Sequence, residues 1–529
     1  MAYVKPGVEI TQSQRSQTPV LITPELIGVV IGKGYHWQDP MLNESYLSAA
    51  VAAYDGSELT FNLSLVNSTN YNVSGEESLV IVDLVESANT IHHLVYTTDF
   101  TVSNNQVTIL ADPAFTASGV NIRVGYRAHK TESLGFKEMA SISDIETLIG
   151  DAVTWNPLAY GAKIAQEQYN VAISTYGIDD EAASSSYTEA ITALEGQEVY
   201  AISCMSQDNA ILAAALAHVN SMSLAANKKE RIAFVNRVIP SWTGTIHAEN
   251  NAQKTTTATA IKAVASAYQE ERLFMTFPDA AYVEEKRHIT TISPTWIAAS
   301  FADYTTNSDT TYYQCKFASD LTLGTTKYKK DQTITATIWA LLVAGGVHEL
   351  TVYAPVPGFY YDAVGVGQAV GKEPQQPTTN LPVGGITKTF GSWDYFTGAQ
   401  LNTIAEGGYY IMTQYSSTAP VVCRHQLSTN TLSIAKRELS VKTALDYTAK
   451  FIRRVLAPYI GRYNIDDRFL ALINTTLSGI GDRLVSNGRI RSFTVASVTQ
   501  SELSPDTIEC EVIVEPLYPA NFIQLRLIF

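Results

Sequence analysis

The spacing of apolar residues changes along the chain, and each change predicts a different kind of element. Over the first ~25 residues Pro6, Gly7, Pro19 and Pro24 interrupt a Gln-, Ser- and Thr-rich stretch, which disfavours helix and predicts an extended arm (residues 1–25). Within it Val8 and Ile10 alternate with Gly7 and Glu9 as a short strand, and Leu26 to Ile31 reads as a buried core strand. From about residue 36 to 135 the period is two. Leu59, Phe61, Leu63 and Leu65 alternate with polar residues, as do Val120, Ile122, Val124 and Tyr126, with "DG", "SG" and "NN" turns between, so this stretch is expected to be an all-β module. After Phe136 the pattern becomes helical, with Ser143 and Glu146 as a capping box ahead of Leu148, Ile149 and a stop at Gly150. Apolar runs at 171–173, 199–202, 232–238 and 273–277 then alternate with helical stretches such as 209–226, the pattern of an α/β sheet.

Residues 285–335, rich in Thr, Tyr, Ser and Asp, give no clear assignment, and "GKEPQQPTTNLPVGG" marks a long ordered loop or linker. Two helices follow. In the first, from Ser440 to Ala457 before Pro458, Val441, Leu445, Ala449, Ile452, Val455 and Leu456 share one arc, while Lys442, Lys450, Arg453 and Arg454 fall on the opposite one. The second carries Phe469, Leu472, Ile473, Ile480 and Leu484 on one stripe and stops at Asn487 and Gly488. Strand runs 493–498 and 508–514 flank "SELSPD" as a hairpin-like pair. The chain closes on "NFIQLRLIF", where Ile523, Leu525, Leu527 and Phe529 alternate as a strand with one apolar face, and an unpaired strand of this kind invites pairing with another chain. No repeat of 20–50 residues is visible, which argues against a solenoid.

Composition sharpens this picture. The 529 residues suffice for about three or four domains. Only 16% are charged, against about 25% in ordinary globular chains, and 10% are aromatic, which suggests that neighbouring subunits cover much of the surface. The net charge of -15 argues against nucleic-acid binding. The longest uncharged apolar run, 338–347, falls well short of the ~20 residues that cross a bilayer, so no membrane insertion is expected. The start lacks the features of a secretory signal, and synthesis and retention in the cytoplasm are expected. Cys204, Cys315, Cys423 and Cys510 form neither a CxxC pair nor a disulfide framework and are expected to be reduced and buried.

Candidate chemistry is thin. "GVGQAVGKE" resembles a phosphate loop, but Val366 stands where the first glycine belongs and Glu373 where a Ser or Thr should bind magnesium, so close packing through glycines is the simpler reading. "HEL" at His348 lacks the second histidine of a zinc protease, the corresponding position being Val352. Adjacent His92 and His93 point to opposite faces of a strand and would need distant partners to hold a metal. No GxSxG elbow and no local cysteine signature supports nucleophilic catalysis. The expectation is therefore no catalytic residue, no cofactor and no metal site. The remaining charge feature lies between 431 and 462, where Lys436, Arg437, Lys442, Lys450, Arg453, Arg454 and Arg462 stand against only Glu438 and Asp446, an asymmetry that marks either a binding face or a solvated helix.

With these elements in order, the C-terminal third resembles the contractile tail sheath proteins of phages, which are related to the sheaths of R-type pyocins and other contractile injection systems. The matching run is "SIAKRELSVKTALDYTAKFIRRVLAPYIGRYNIDDRFLALINTTLSGIGDRLVSNGRIRSFTVASVTQ" followed by "IECEVIVEPLYPANFIQLRLIF". The start "YVKPGVEI" resembles the family's arm, and "ISDIETLIG", "NPLAYGAKIA" and "PQQPTTNLPVGGI" extend the match, whereas 36–135 and 285–335 match poorly.

The resemblance implies an α/β and α+β multi-domain chain: arm 1–25, first core strand 26–35, inserted outer β domain 36–135, central α/β sheath domain 136–425 with a variable segment 285–335, inner tube-facing domain 426–518, and arm strand 519–529. It implies a non-enzymatic subunit of hexameric rings stacked helically around a tail tube, held metastably extended and contracting to drive the tube through the host envelope. The arm strands at Val8 and Ile10 and at Ile523, Leu525, Leu527 and Phe529 would augment a neighbour's hairpin at Phe493, Val495, Val498, Ile508, Val512 and Val514. Lys442, Lys450, Arg453 and Arg454 would face the tube. Expected partners are further copies of the chain, the tail tube protein, and the baseplate and tail terminator proteins, in a virion tail assembled in the host bacterial cytoplasm. A sheath from a non-phage injection system is the neighbouring alternative, and an oligomeric cytoplasmic α/β enzyme the alternative from another class.

Overall fold

In a computed structural model, residues 26–42, 54, 57–63, 71–72, 77–87, 90–103, 106–112, 120–130, 133–239, 250–301, 314–389, 395–521 and 525–526 are described. They divide into two compact units, the larger spanning 27–372 and 377–439 and the smaller containing 373–376 and 440 onward.

The larger unit is built on an 8-stranded sheet whose strands begin, in spatial order, at Gly135, Ile173, Gly28, Ala201, Ile232, Leu273, Tyr409 and Val422. The inner strands run parallel and both edge strands antiparallel. Their continuous apolar runs, such as Leu273–Phe277, are buried at every position, as expected for strands covered on both faces. On one face lie helices Ser184–Ala193, Asn209–Met222, Asn251–Ser266 and Gly398–Glu406, which contribute Tyr187, Ile191, Ile211, Val219, Ile261 and Ile404 to one apolar cluster with the sheet. On the other lie helices Pro157–Glu167 and Tyr360–Gly371.

The phosphate-loop lookalike forms the second of these helices, and its glycines serve packing. A Cβ on Gly365 would come within 2.2 Å of Phe234 Cδ1, and one on Gly367 within 2.1 Å of the Ala165 carbonyl oxygen. The run after it is an ordered loop from 377 on: Val383 N–H donates to Val421 O at 2.8 Å, and Thr378 N–H to Gln426 Oε1 at 2.9 Å.

The described strands between 36 and 130 pair antiparallel. A 5-stranded sheet contains Tyr35–Leu42, Tyr71–Asn72, Ile81–Ser87, Thr90–His93 and Asn121–Lys130, and a 3-stranded sheet contains Leu59–Asn62, Phe100–Ser103 and Gln106–Ile109. The alternating Val120, Ile122, Val124 and Tyr126 are all buried in the cluster between them. Leu79 and Ile81 turn instead toward a second core, where they join Tyr282, Ile292, Trp296, Phe317 and Tyr353. That core takes in the described parts of the stretch the sequence left unassigned, 285–301 and 314–335. Ala280–His288 and Glu349–Pro357 pair antiparallel in a 4-stranded sheet with the short strands Lys316–Phe317 and Lys388–Thr389.

Local corrections have physical causes. The capping box ahead of helix Ile142–Leu148 uses Ser141 and Asp144, not Ser143 and Glu146. Two overlapping Ser-x-x-acid frames exist, and Ser141 is the one with extended backbone (φ -144°). Three cysteines are buried, but Cys510 is exposed because it sits on a two-stranded hairpin rather than in a layered core. Residues 426–439 belong to the larger unit, held there by Ser428 N–H donating to Arg437 O at 2.7 Å and Thr429 N–H to Leu273 O at 3.0 Å.

Candidate functional site

The smaller unit contains helix Leu439–Leu456 from Ser440 onward, helix Asp467–Ser486, and a hairpin of Ile490–Gln500 with Ile508–Pro516. Asp466 caps the second helix, its side chain accepting from Phe469 N–H at 2.8 Å, and Gly488 ends it at φ +65°. Tyr447, Phe451 and Val455 of the first helix meet Phe469, Ile473, Leu477, Ile480 and Leu484 of the second. Leu472, expected on this stripe, is exposed; Leu477 fills the 4-residue step from Ile473 and takes its place in the core.

The hairpin lies on this core. Phe493, Val495, Val498, Ile508, Val512 and Val514, the residues expected to receive an arm, all pack against the helical cluster. Strict alternation would send Val498 to the opposite face from Val495. A bulge at the step from Val495 to Ser497 inserts one residue, so that Phe493 faces Val514, Val495 faces Val512 and Val498 faces Cys510. The six side chains are thus partly buried against the hairpin's own unit, while Ile513 on the opposite face and the backbone of the strand edges are what the hairpin offers outward. Among the described residues its two strands pair only with each other, which leaves the outer N–H and C=O rows of both open for a further strand.

Exposed apolar surface gathers in this unit. Ile460, Tyr463, Leu472, Val485, Leu503, Ile513, Tyr518 and Leu525 are exposed large hydrophobics, as many among the described residues as in the much longer unit. Leu503 at 94%, Leu525 at 80% and Ile460 at 79% are the most open of them. Of the expected arm residues only Leu525 is described. It is in neither strand nor helix, and Val8, Ile10, Ile523, Leu527 and Phe529 lie outside the described residues.

The basic helix face differs from the expected open arc. Lys442 and Lys450 are each only 8% exposed, Arg453 is half-buried, and Arg454 is exposed. Lys442, Asp446 and Lys450 follow one another at four-residue steps on a single stripe, so a carboxylate stands between the two ammonium groups, and Asp446 is buried as well. The open charge is therefore confined to the end of the helix.

In the larger unit, the carboxyl edge of the sheet, where α/β folds place ligands, is filled by the chain itself. Gln207 Nε2 donates to Asn236 Oδ1 at 2.6 Å and to Asp279 O at 2.7 Å, Asn236 Nδ2 donates to Thr276 Oγ1 at 2.8 Å, and Thr276 Oγ1 donates to Asp362 Oδ1 at 2.7 Å. All of these residues are buried. Burial pushes the Asp362 carboxyl well above the usual carboxylate range despite the bond from Thr276. Among the described residues no helix is long and apolar enough to cross a membrane.

No family model matches the sequence, and no curated protein does either. Solved structures do. The chain is similar to the helical sheath of the anti-feeding prophage in its contracted state, at 12% identity and TM-score 0.47, over 75% of this chain and 89% of that one. It is also similar to a sheath tail protein from Desulfitobacterium hafniense (11% identity, TM-score 0.40, 94% of this chain and 97% of that one). A sheath tail protein from Listeria innocua is similar at 12% identity and TM-score 0.42, over 94% of this chain and 93% of that one.

Proposed function

We propose that this chain is a structural, non-enzymatic subunit of a contractile sheath. Copies assemble in hexameric rings stacked around a tail tube and linked by strands exchanged between subunits. The observation that supports this reading is the C-terminal hairpin, whose Phe493, Val495, Val498, Ile508, Val512 and Val514 pack partly buried against its own unit while, among the described residues, its outer backbone rows pair with no further strand, in a chain that carries the alternating apolar segment Ile523, Leu525, Leu527 and Phe529. An incoming strand at that edge extends the two-stranded sheet, and its apolar face continues the row formed by Phe493, Val495 and Val512.

Several features support this over an enzyme. The carboxyl edge of the central sheet is filled by Gln207, Asn236 and Asp362, and the glycines of the phosphate-loop lookalike seat a helix against Phe234 and Ala165. Exposed hydrophobics concentrated in the unit that carries the hairpin suit a surface covered by neighbouring copies. Contact with an acidic tube surface falls to Arg453 and Arg454 rather than to Lys442 and Lys450, because only the former stand at an open helix end. In this reading the chain belongs to a phage tail assembled in the bacterial cytoplasm and joins baseplate and terminator proteins at its ends; the sheath of a non-phage injection system uses the same mechanics.

The test is truncation before Asn521. Purified truncated protein should remain folded by circular dichroism and sediment as a small species, whereas the full chain forms large assemblies. Full-size assemblies from the truncated chain would rule out the terminal segment as the connector.

A further inference from the structure

The β module carries a side-chain cluster that sheath assembly does not use. Asp83 and His93 face each other directly across the antiparallel pair of Ile81–Ser87 and Thr90–His93, and His288 closes the group from the end of Ala280–His288. His93 Nδ1 lies 2.8 Å from Asp83 Oδ1, and His288 Nε2 lies 2.9 Å from Asp83 Oδ2. The imidazoles meet edge to face, centroids 5.5 Å apart, and one ligand-capable atom from each of the three residues lies within 4.8 Å of the other two. Asp83 is fully buried and His288 is 9% exposed.

Hydrogen bonding does not account for the whole cluster. His93 Nδ1 and Asp83 Oδ1 form a normal bond, but the approach of His288 Nε2 to Asp83 Oδ2 at 2.9 Å does not have the geometry of one. On its other side His288 Nδ1 is 2.7 Å from Thr290 Oγ1. Nδ1 also accepts from Thr290 N–H at 3.4 Å; an ion on Nε2 would require the proton on Nδ1, where the Thr290 hydroxyl can accept it and so act as the outer partner that fixes the tautomer of a metal-binding histidine. Asp83 Oδ2 and His288 Nε2 are thus two buried ligand atoms that the hydrogen bonding around them leaves over.

We propose that Asp83, His93 and His288 bind a divalent transition-metal ion of the zinc class, which fastens the hairpin of the β module to the strand Ala280–His288. Two imidazoles and one carboxylate suit zinc, cobalt or nickel, whereas calcium and magnesium prefer more oxygen ligands. Bonds of about 2.0–2.1 Å in a tetrahedron place ligand atoms about 3.3 Å apart. The observed contacts of 2.8 and 2.9 Å, which end on different oxygens of Asp83, must widen, and the ligand atoms, within 4.8 Å of one another, must draw together around the ion. The fourth position is left to water. Sequence reading expected no metal site. His93 has its partners, but they come from Asp83 across the hairpin and from His288 in another sheet, which no local spacing could reveal.

The test uses the full chain, stripped with a chelator and titrated with zinc by calorimetry and with cobalt by visible absorption. The expected result is one ion per chain at sub-micromolar affinity, cobalt bands of a four-coordinate site, and a melting temperature that rises with zinc and falls with chelator. His93→Gln and His288→Gln should each weaken binding by more than the ~10–100-fold typical of losing an outer partner, and the neighbouring His92→Gln should leave it unchanged. The wild-type titration stands even if a variant fails to fold. No stoichiometric binding, with melting indifferent to zinc and chelator, would show the triad to be an ion pair only and overturn the proposal. So would zinc binding that survives both His93→Gln and His288→Gln.

Discussion

Gly481 lies beneath the ring of Phe493: a Cβ at position 481 would stand 2.4 Å from Phe493 Cδ1. The hairpin's seat on helix Asp467–Ser486 thus depends on one missing methyl group. Gly481→Ala should push the ring outward and cost about 1–3 kcal/mol, read as faster hydrogen exchange across Ile490–Gln500. Gly479, two residues away in the same helix, has nothing within 4 Å of a built Cβ. Gly479→Ala should therefore act in the opposite direction, gaining up to about 1 kcal/mol from helix propensity.

The glycines of helix Tyr360–Gly371 set a second test. The obstacle at Gly367 is backbone, the Ala165 carbonyl, which cannot rotate away. Gly367→Ala should separate this helix from Pro157–Glu167 and cost about 3 kcal/mol or more, seen as a lower denaturation midpoint or loss of soluble protein. Gly398→Ala, with open space around it, serves as the control and should leave the midpoint nearly unchanged.

Asp362 predicts a pH dependence with a definite sign. Its folded-state pKa is raised by burial, so the native state holds a proton that the unfolded chain releases above the ordinary carboxylate range. This group's contribution is fully present below the unfolded value, about pH 4, and is lost progressively as pH rises toward the folded value. Asp362→Asn keeps an acceptor for Thr276 and carries no titrating proton. Its stability should fall less between pH 5 and pH 8 than that of the wild type in parallel urea melts.

The two halves of the basic helix should separate on charge reversal. Lys450→Glu places a second acid beside buried Asp446 and should destabilise the fold markedly. Arg454→Glu, at an exposed position, should change stability by no more than about 0.5 kcal/mol while weakening attachment of the assembled sheath to its tube. Equal effects of both on melting temperature would contradict the assignment.

What the sequence disclosed and what it hid follow from range. Alternation at Val120 to Tyr126, the helix beginning near Ser440 and the strands around "SELSPD" are local patterns, and each appears where the pattern places it. Register is less local. The bulge after Val495 keeps Val498 on the packed face, and only the spacing of apolar residues on both strands hints at it. Burial of Lys442 and Lys450 could be suspected from Asp446 between them, but the helical wheel alone treats all polar residues as outward. The meeting of Asp83 with His288, like the filled edge at Gln207 and Asp362, joins residues from separate sheets and helices, which no window of sequence contains.

The central claim is that this chain builds a tube by exchanging strands between copies. Electron microscopy of the purified full-length protein tests it most directly. The account predicts long hollow tubes with a regular helical repeat, formed without nucleotide and absent from protein truncated before Asn521. A field of monomers or small closed oligomers at the same concentration would contradict it.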